Sequence, residues 1–345
     1  MSHTRSPIRS PRRVAAALLV LALAASATLV AQPPQEEGGS FRFRSAVELI
    51  NVTATVTDRS GRFVSNLQRQ DFSIFEDGQP QSITHFSNER VPVSLGIVLD
   101  VSGSMSGAKF QAAEEALNRF LYELLAPEDE IFILTFSDQV DLASDWTTDR
   151  RQLARALSMV RPRGGTSLYD AAAEAVPMAQ SGRHKKKAVL IISDGVDTDS
   201  RTDPRALQSM IRETEVLVYA IGIDGSGSQQ SGGWSGRPNI QLPFPFPLPG
   251  GGRMPGQRPR VVIGGQDQVD VNALRAITDD SGGRTEVTRG SVGIDPATAS
   301  IADELSRQYS IGYVPPRAKD GRWHTIRVDV AQGHQVRARR GYMAQ

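Results

Sequence analysis

The sequence predicts an α/β protein: a doubly wound, mostly parallel sheet inserted in a small β-sandwich formed by the N- and C-terminal segments. Two observations carry this expectation. Apolar runs at 93–99, 131–136, 188–192 and 216–221 alternate with helical stretches near 109–125, 150–160, 168–180, 204–213, 270–280 and 296–307. Strands that read as continuous apolar runs are buried on both faces, as in a parallel sheet covered by helices. Both ends of the chain instead show period-2 alternation interrupted by turn residues, the pattern of antiparallel strands with one wet face.

At the N-terminal end, Ile50, Val52, Ala54 and Val56 fall on one face and Asn51, Thr53, Thr55 and Thr57 on the other. A turn at 58–61, a strand at 71–75, the turn Glu76-Asp77-Gly78 and a strand at 82–86 complete a segment spanning 46–90. The C-terminal segment, 309–345, repeats the habit at 309–314, 324–330 and 335–342, with Ile326, Val328 and Val330 alternating with Arg327 and Asp329. About three strands are few for independent stability. The two segments are therefore expected to meet in one sandwich, with 91–308 inserted between them, which is easy when the inserted domain's termini lie close together. Arg337, Arg339 and Arg340 read as a solvated strand face, and the lysines at 185–187 as a solvated loop.

With 345 residues, 39% of them hydrophobic, the chain is long and apolar enough for a large core. Residues 1–31 differ from the rest: Arg5, Arg9, Arg12 and Arg13 precede an uncharged apolar stretch at 14–31 that ends in small residues. This is the pattern of a signal peptide, with cleavage after Ala27 or Ala31 and a linker at 32–45. The competing reading is an uncleaved membrane anchor, because 14–31 is just long enough to span a bilayer. The expected location is accordingly periplasmic or secreted, with a membrane contact only if the segment is retained. Those four arginines account for more than the whole formal charge of +1, leaving the remainder at −3 (+1 less 4), which argues against a nucleic-acid partner. The absence of cysteine excludes disulfides, thiolate metal sites and thiol nucleophiles. Residues 225–259 form a Gly/Pro-rich insertion whose alternating Pro243, Pro245, Pro247 and Pro249 exclude a helix or a central strand.

Chemistry concentrates at Asp100-Val-Ser102-Gly-Ser104, where an apolar run ends and a helical stretch begins. A carboxylate and two hydroxyls at a strand-to-helix turn offer the oxygen donors that magnesium, manganese or calcium prefer. Ligands of open α/β sheets bind at the carboxyl ends of strands. Asp194 ends another apolar run, and Thr166 lies in the turn Gly164-Gly165-Thr166 before a helix, so three oxygen-bearing segments are expected to converge. Ser102, Ser104 and Ser106 are also good helix caps, a role compatible with metal binding. Asp197 and Asp199 read as turn formers, and the five histidines show no zinc spacing.

The DxSxS motif at 100–104, with Thr166 in a separate loop and Asp194-Gly195 after a strand, resembles the von Willebrand factor type A domain and its metal-ion-dependent adhesion site. The stretches 57–61, 71–78 and 339–342 resemble a bacterial, exported subgroup of that family. The resemblance covers 91–308 for the domain and most of 46–343 for the subgroup. It implies a Rossmann-like fold and a divalent cation, Mg2+ or alternatively Mn2+ or Ca2+. It further implies that Ser102 and Ser104 coordinate directly, Thr166 directly or through water, and Asp100 and Asp194 mainly through water. An Asp or Glu carboxylate from a protein partner would complete the shell, which makes the chain an adhesion-type binding module and not an enzyme. One alternative is a structural envelope scaffold whose metal supports the fold. Another is a metal-dependent phosphoryl-transfer enzyme with Asp100 as nucleophile, but Ser102 stands where a second aspartate would serve as general acid. No P-loop, GxSxG, HExxH or GxGxxG pattern is present either.

Overall fold

In the computed structural model, which describes residues 49–194, 196–224, 269–316 and 320–344, the alternation near the N-terminus becomes β1 (Ile50–Thr57). Ile50, Val52, Ala54 and Val56 are buried there and Asn51 is exposed. β2 (Phe72–Glu76) and β3 (Gln79–Gln81) form a hairpin across Asp77-Gly78, both at positive φ (48° and 79°), as a two-residue turn matched to strand twist requires. β4 (Ile83–Ser87) follows. The stretches read from sequence as a signal peptide (1–31), a linker (32–45) and an insertion (225–259) lie outside the described residues. Among the described residues no helix is long and apolar enough to cross a membrane.

The apolar runs then build β5 (Val93–Asp100), β6 (Glu130–Phe136), β7 (Val140–Thr147), β8 (Lys186–Ser193), β9 (Leu217–Asp224) and β10 (Thr285–Arg289). They form a six-stranded sheet in the order β10-β9-β8-β5-β6-β7, parallel except for β7. Helices cover both faces. α1 (Ala108–Arg119, continued by a π-helical turn to Leu124), α2 (Arg150–Met159) and α6 (Ile294–Arg307) bury Phe110, Leu117, Leu153, Leu157 and Ile301 on one side. α3 (Leu168–Gln180), α4 (Pro204–Arg212) and α5 (Val271–Thr278) bury Val176, Leu207, Ile211 and Leu274 on the other. β5 is buried at every position, and each such aliphatic side chain contributes about 1.5–3 kcal/mol. The predicted doubly wound α/β class is therefore correct. The sequence reading did not assign β7, because this antiparallel edge strand is half polar and only partly buried, with Trp146 anchoring it edge-on against Phe132.

The chain closes with β11 (Tyr309–Tyr313), β12 (Trp323–Val330), β13 (Gln335–Ala338) and β14 (Gly341–Met343). Strands from the two ends interleave in two four-stranded sheets, β13-β1-β11-β4 and β14-β12-β2-β3, whose inner faces share one core containing Val52, Phe72, Ile74, Tyr309, Ile311 and Val328. The stretch 335–342, read from sequence as one strand, is two strands in different sheets. The chain crosses between them at Arg339-Arg340, where the Arg340 N–H donates to the Asp280 carbonyl (3.4 Å). Gly341 re-enters so close to Trp323 and the His324 carbonyl that a side chain has no room.

The sandwich and the α/β layers meet at a buried carboxylate. Glu304 of α6 is fully buried and accepts hydrogen bonds from Thr55 of β1 (2.9 Å), Tyr219 of β9 (2.9 Å), Arg284 (2.7 Å) and Arg337 of β13. Arg340 reaches Asp280 (3.2 Å), and Arg339, almost fully buried, approaches Glu215 (3.6 Å). Arg337 and Arg339 are therefore interface residues, while Arg340 keeps most of its side chain in solvent (63% exposed) as read from sequence: alternation says which side of a strand a residue occupies, but not that another layer lies there. Lys186 corrects the sequence reading in the same way. It is buried and caps the last turn of α6 through the Leu305 carbonyl (2.9 Å), and burial pushes its ammonium pKa down to about 8.

A second polar clamp ties the two ends of the chain together. His324 on β12 is buried, with Nδ1 on Asp77 (2.8 Å) and Nε2 on Asp320 (3.1 Å), while Glu76 stands 3.8 Å away and the Tyr342 ring stacks on the imidazole. Glu76, Asp77 and His324 have donor types that suit a metal, but carboxylates on both ring nitrogens select the doubly protonated imidazolium. Hydrogen bonds donated to the Asp320 and Asp77 carboxylates raise its pKa above the ordinary 6.5. A raised folded-state value gives stability that is complete below about pH 6.5 and is lost as pH rises through the folded value. Resistance of the wild type to urea is expected to fall over that window relative to His324→Gln, which lacks this contribution; parallel pH profiles for the two would refute the clamp.

Candidate metal centre

Asp100 ends β5 at the carboxyl edge of the sheet, and Asp194 follows the last residue of β8, the strand paired beside it. Both are buried, at 0% and 3% exposure. Asp100 Oδ1 accepts from the Ser102 N–H (2.8 Å) and Oδ2 from the Ser193 hydroxyl (2.5 Å). The Ser102 and Ser104 hydroxyls lie 3.0 Å apart, and Ser104 donates to Asp194 Oδ1 at 2.7 Å. A continuous chain of oxygens thus runs Ser102–Ser104–Asp194, with Ser102 buried and Ser104 exposed at the rim. The other Asp194 oxygen pairs with the Lys109 ammonium, from the first turn of α1.

The third segment is sewn to the first by backbone. The Gly103 N–H donates to the Gly164 carbonyl (3.0 Å) and the Arg163 N–H to the Val101 carbonyl (2.7 Å). Thr166 is buried at 5% exposure, its N–H donating to Thr198 Oγ1 (3.0 Å) and Asp199 Oδ2 (3.1 Å), and its carbonyl accepting from the Thr198 N–H (2.8 Å). Gly164 sits at φ +78°, and both Gly164 and Gly165 press on the Asp138 carboxylate, which accepts the Gly165 N–H at 2.5 Å. All five predicted residues therefore stand at one edge of the sheet. Asp100, Ser102, Ser104 and Asp194 are linked through hydrogen bonds, and Thr166 is held by its own backbone in the adjoining loop. Asp197 and Asp199, read from sequence as turn formers, do more than shape their own turn: Asp197 accepts from Ser200 (2.5 Å) but also from the Tyr169 N–H (3.3 Å), and Asp199 holds the Thr166 N–H (3.1 Å).

Sequence reasoning missed Asp138, Ser193 and Lys109. Asp138 could have been found by the rule that selected Asp100, since it follows the end of β6. Lys109 carried a quieter signal: a lysine in the first turn of a helix opposes the macrodipole, so its charge serves something other than the helix.

The donor set fits a hard divalent cation. It is entirely oxygen, combines two carboxylates with hydroxyls, and is exposed on one side only. Burial pushes the Asp100 pKa up to about 6, against the opposing hydrogen bonds from Ser102 and Ser193 and with the Asp194 charge adding to it. Among the described residues no cationic side chain contacts Asp100.

Residues 95–196 match the family model of the von Willebrand factor type A domain. Human inter-alpha-trypsin inhibitor heavy chain H4 is 29% identical over 152 residues, which is 40% of this chain and 16% of that protein. The mouse inter-alpha-trypsin inhibitor heavy chain 4 is 30% identical over 163 residues, 42% and 17% respectively. The match thus spans about a sixth of the length of these curated relatives. Among solved structures, a von Willebrand factor type A protein from Catenulispora acidiphila aligns over 79% of this chain and 73% of its own, at 15% identity and a TM-score of 0.46. The family match over 95–196, which includes the strand-end DxSxS turn and the central strands that present it, identifies a von Willebrand factor type A domain within this chain.

Proposed function

We propose that this chain is a non-enzymatic, adhesion-type module working outside the cytoplasm, which captures an acidic side chain of a partner protein on a divalent cation. The observation that carries this reading is the chain of oxygens Ser102–Ser104–Asp194 laid beside the buried Asp100, with Ser104 facing solvent. Ser102 and Ser104 would hold the ion directly, Thr166 directly or through water, and Asp100 and Asp194 mainly through water. Magnesium, manganese or calcium held there would supply a Lewis-acidic centre with a position left for a carboxylate. Ser193 and the Ser102 N–H orient Asp100, and Asp199 and Thr198 fix the backbone of Thr166. The location outside the cytoplasm is supported by the composition of residues 1–31.

Titration calorimetry with Mn2+ tests the site. The double variant Ser102→Ala/Ser104→Ala is expected to lose more than about 100-fold in affinity, beyond the 10- to 100-fold that outer-sphere partners cost. Wild-type affinity in that variant would remove the assignment. Partner capture is expected to collapse in EDTA while the far-UV circular dichroism is unchanged. Loss of the fold on chelation would favour a scaffold whose metal is structural.

A further inference from the structure

Lys109 is placed where a helix least favours a cation, in the first turn of α1, yet its ammonium is seated on Asp194 Oδ2. The Asp194 side chain is wholly buried and that of Lys109 is 21% exposed, so the lysine joins a buried carboxylate to the surface. The remaining Asp194 oxygen is held by Ser104, one of the hydroxyls assigned to the metal. Asp100 and Asp194 against a single ammonium leave one net negative charge. A divalent cation in place of that ammonium brings the two carboxylates to neutrality.

We propose that Lys109 is the resident counter-ion of this site, and that a divalent cation binds by exchange with its ammonium. The inference rests on reading Asp100, Ser102, Ser104, Thr166 and Asp194 as a metal centre. Without metal, the ammonium prevents Asp194 from standing as a bare buried charge, an arrangement that is strongly destabilising. With metal, it is redundant and is repelled by the ion. A lysine suits this exchange because it is a strongly hydrated point charge on a flexible stem, free to swing back into water, whereas an arginine would be fixed in its hydrogen-bonding fork. Lys109 therefore sets how much cation is needed to switch the site on, and it does so without being a ligand.

The test uses the full chain with Mn2+ as the probe, in titration calorimetry and thermal melts. Lys109→Met, which keeps most of the aliphatic stem and drops the charge, is expected to bind Mn2+ on the order of tenfold tighter than wild type. Lys109→Arg, which keeps the charge, is expected to bind no tighter than wild type. Metal-free Lys109→Met is expected to melt below the wild type, and saturating Mn2+ is expected to raise its melting temperature by more than it raises that of the wild type. If Lys109→Met does not fold, Lys109→Gln gives the same comparison. Equal Mn2+ affinities and equal metal-induced melting shifts in wild type and Lys109→Met would overturn the exchange while leaving the metal centre intact. Absence of Mn2+ binding in both would overturn the metal centre itself, and the exchange with it.

Discussion

Replacing Glu304 with alanine is expected to lower the unfolding free energy by about 3–5 kcal/mol, the usual cost of removing one partner from a buried charge network. Glu304 is fully buried, and four groups from four parts of the chain converge on it: Thr55, Tyr219, Arg284 and Arg337. Truncation leaves the Tyr219 and Thr55 hydroxyls with only Gln308, whose amide already donates to both (2.8 and 3.2 Å). The two guanidiniums lose their common carboxylate, though Arg284 and Arg337 are 24% and 33% exposed and recover part of their hydration. Glu304→Gln, which keeps the volume and one acceptor, is expected to cost less, about 1–3 kcal/mol. Urea denaturation followed by two spectroscopic probes measures both, and coincident transitions show that sandwich and α/β layers unfold as one unit. An alanine variant within about 0.5 kcal/mol of wild type, the range of an ordinary surface substitution, would show that the seam is not held here.

The second large effect is expected at Gly165. A methyl group there would overlap the Asp199 carboxylate and stand 3.1 Å from Asp138 Oδ1. Both carboxylates end flexible side chains, so the fold survives, at a cost of about 1–3 kcal/mol for the overpacking. In moving, however, Asp199 gives up the Thr166 N–H and the Thr198 hydroxyl (2.7 Å), and Asp138 gives up the Gly165 N–H. Thr166 then loses its registration against the Asp100–Ser104 turn. Gly165→Ala is accordingly expected to weaken Mn2+ binding by about 10- to 100-fold, the range for loss of outer-sphere support. Calorimetry beside a thermal melt separates the two effects. A variant that melts lower but binds Mn2+ as tightly as wild type would show that the position of Thr166 does not matter to the site.

The parts legible in the sequence are those encoded by neighbours along the chain. The runs at 93–99, 131–136, 188–192 and 216–221 all became central strands, because a segment apolar on both sides has nowhere to go but between two layers. The helical stretches at 150–160, 168–180, 204–213 and 296–307 fall within two residues of α2, α3, α4 and α6. The side chains of Asp149 and Asp203 cap α2 and α4 by accepting from the first backbone N–H groups, so these boundaries were written locally. By the same logic Asp100 and Asp194 stood out, since an acid that ends an apolar strand must emerge at the ligand-binding edge.

What the sequence could not supply was whatever depends on a partner far along the chain. Nothing near Arg337 or Lys186 distinguishes a solvated cation from one seated on Glu304 or on the last turn of α6, because burial of a charge is decided by the element that covers it. The division of 335–342 between two sheets and the placement of β7 had the same origin. At the proposed metal centre, the sequence by itself determined the candidate donor atoms and the strand ends on which they stand, through strand periodicity. The tertiary structure alone decided which oxygens touch, that Asp138 and Asp199 brace the Thr166 loop, and that Lys109 supplies the charge facing Asp194. Periodicity acts over a few residues, whereas the electrostatic balance of a buried carboxylate is set by every group within a few ångströms, wherever the chain brings it from.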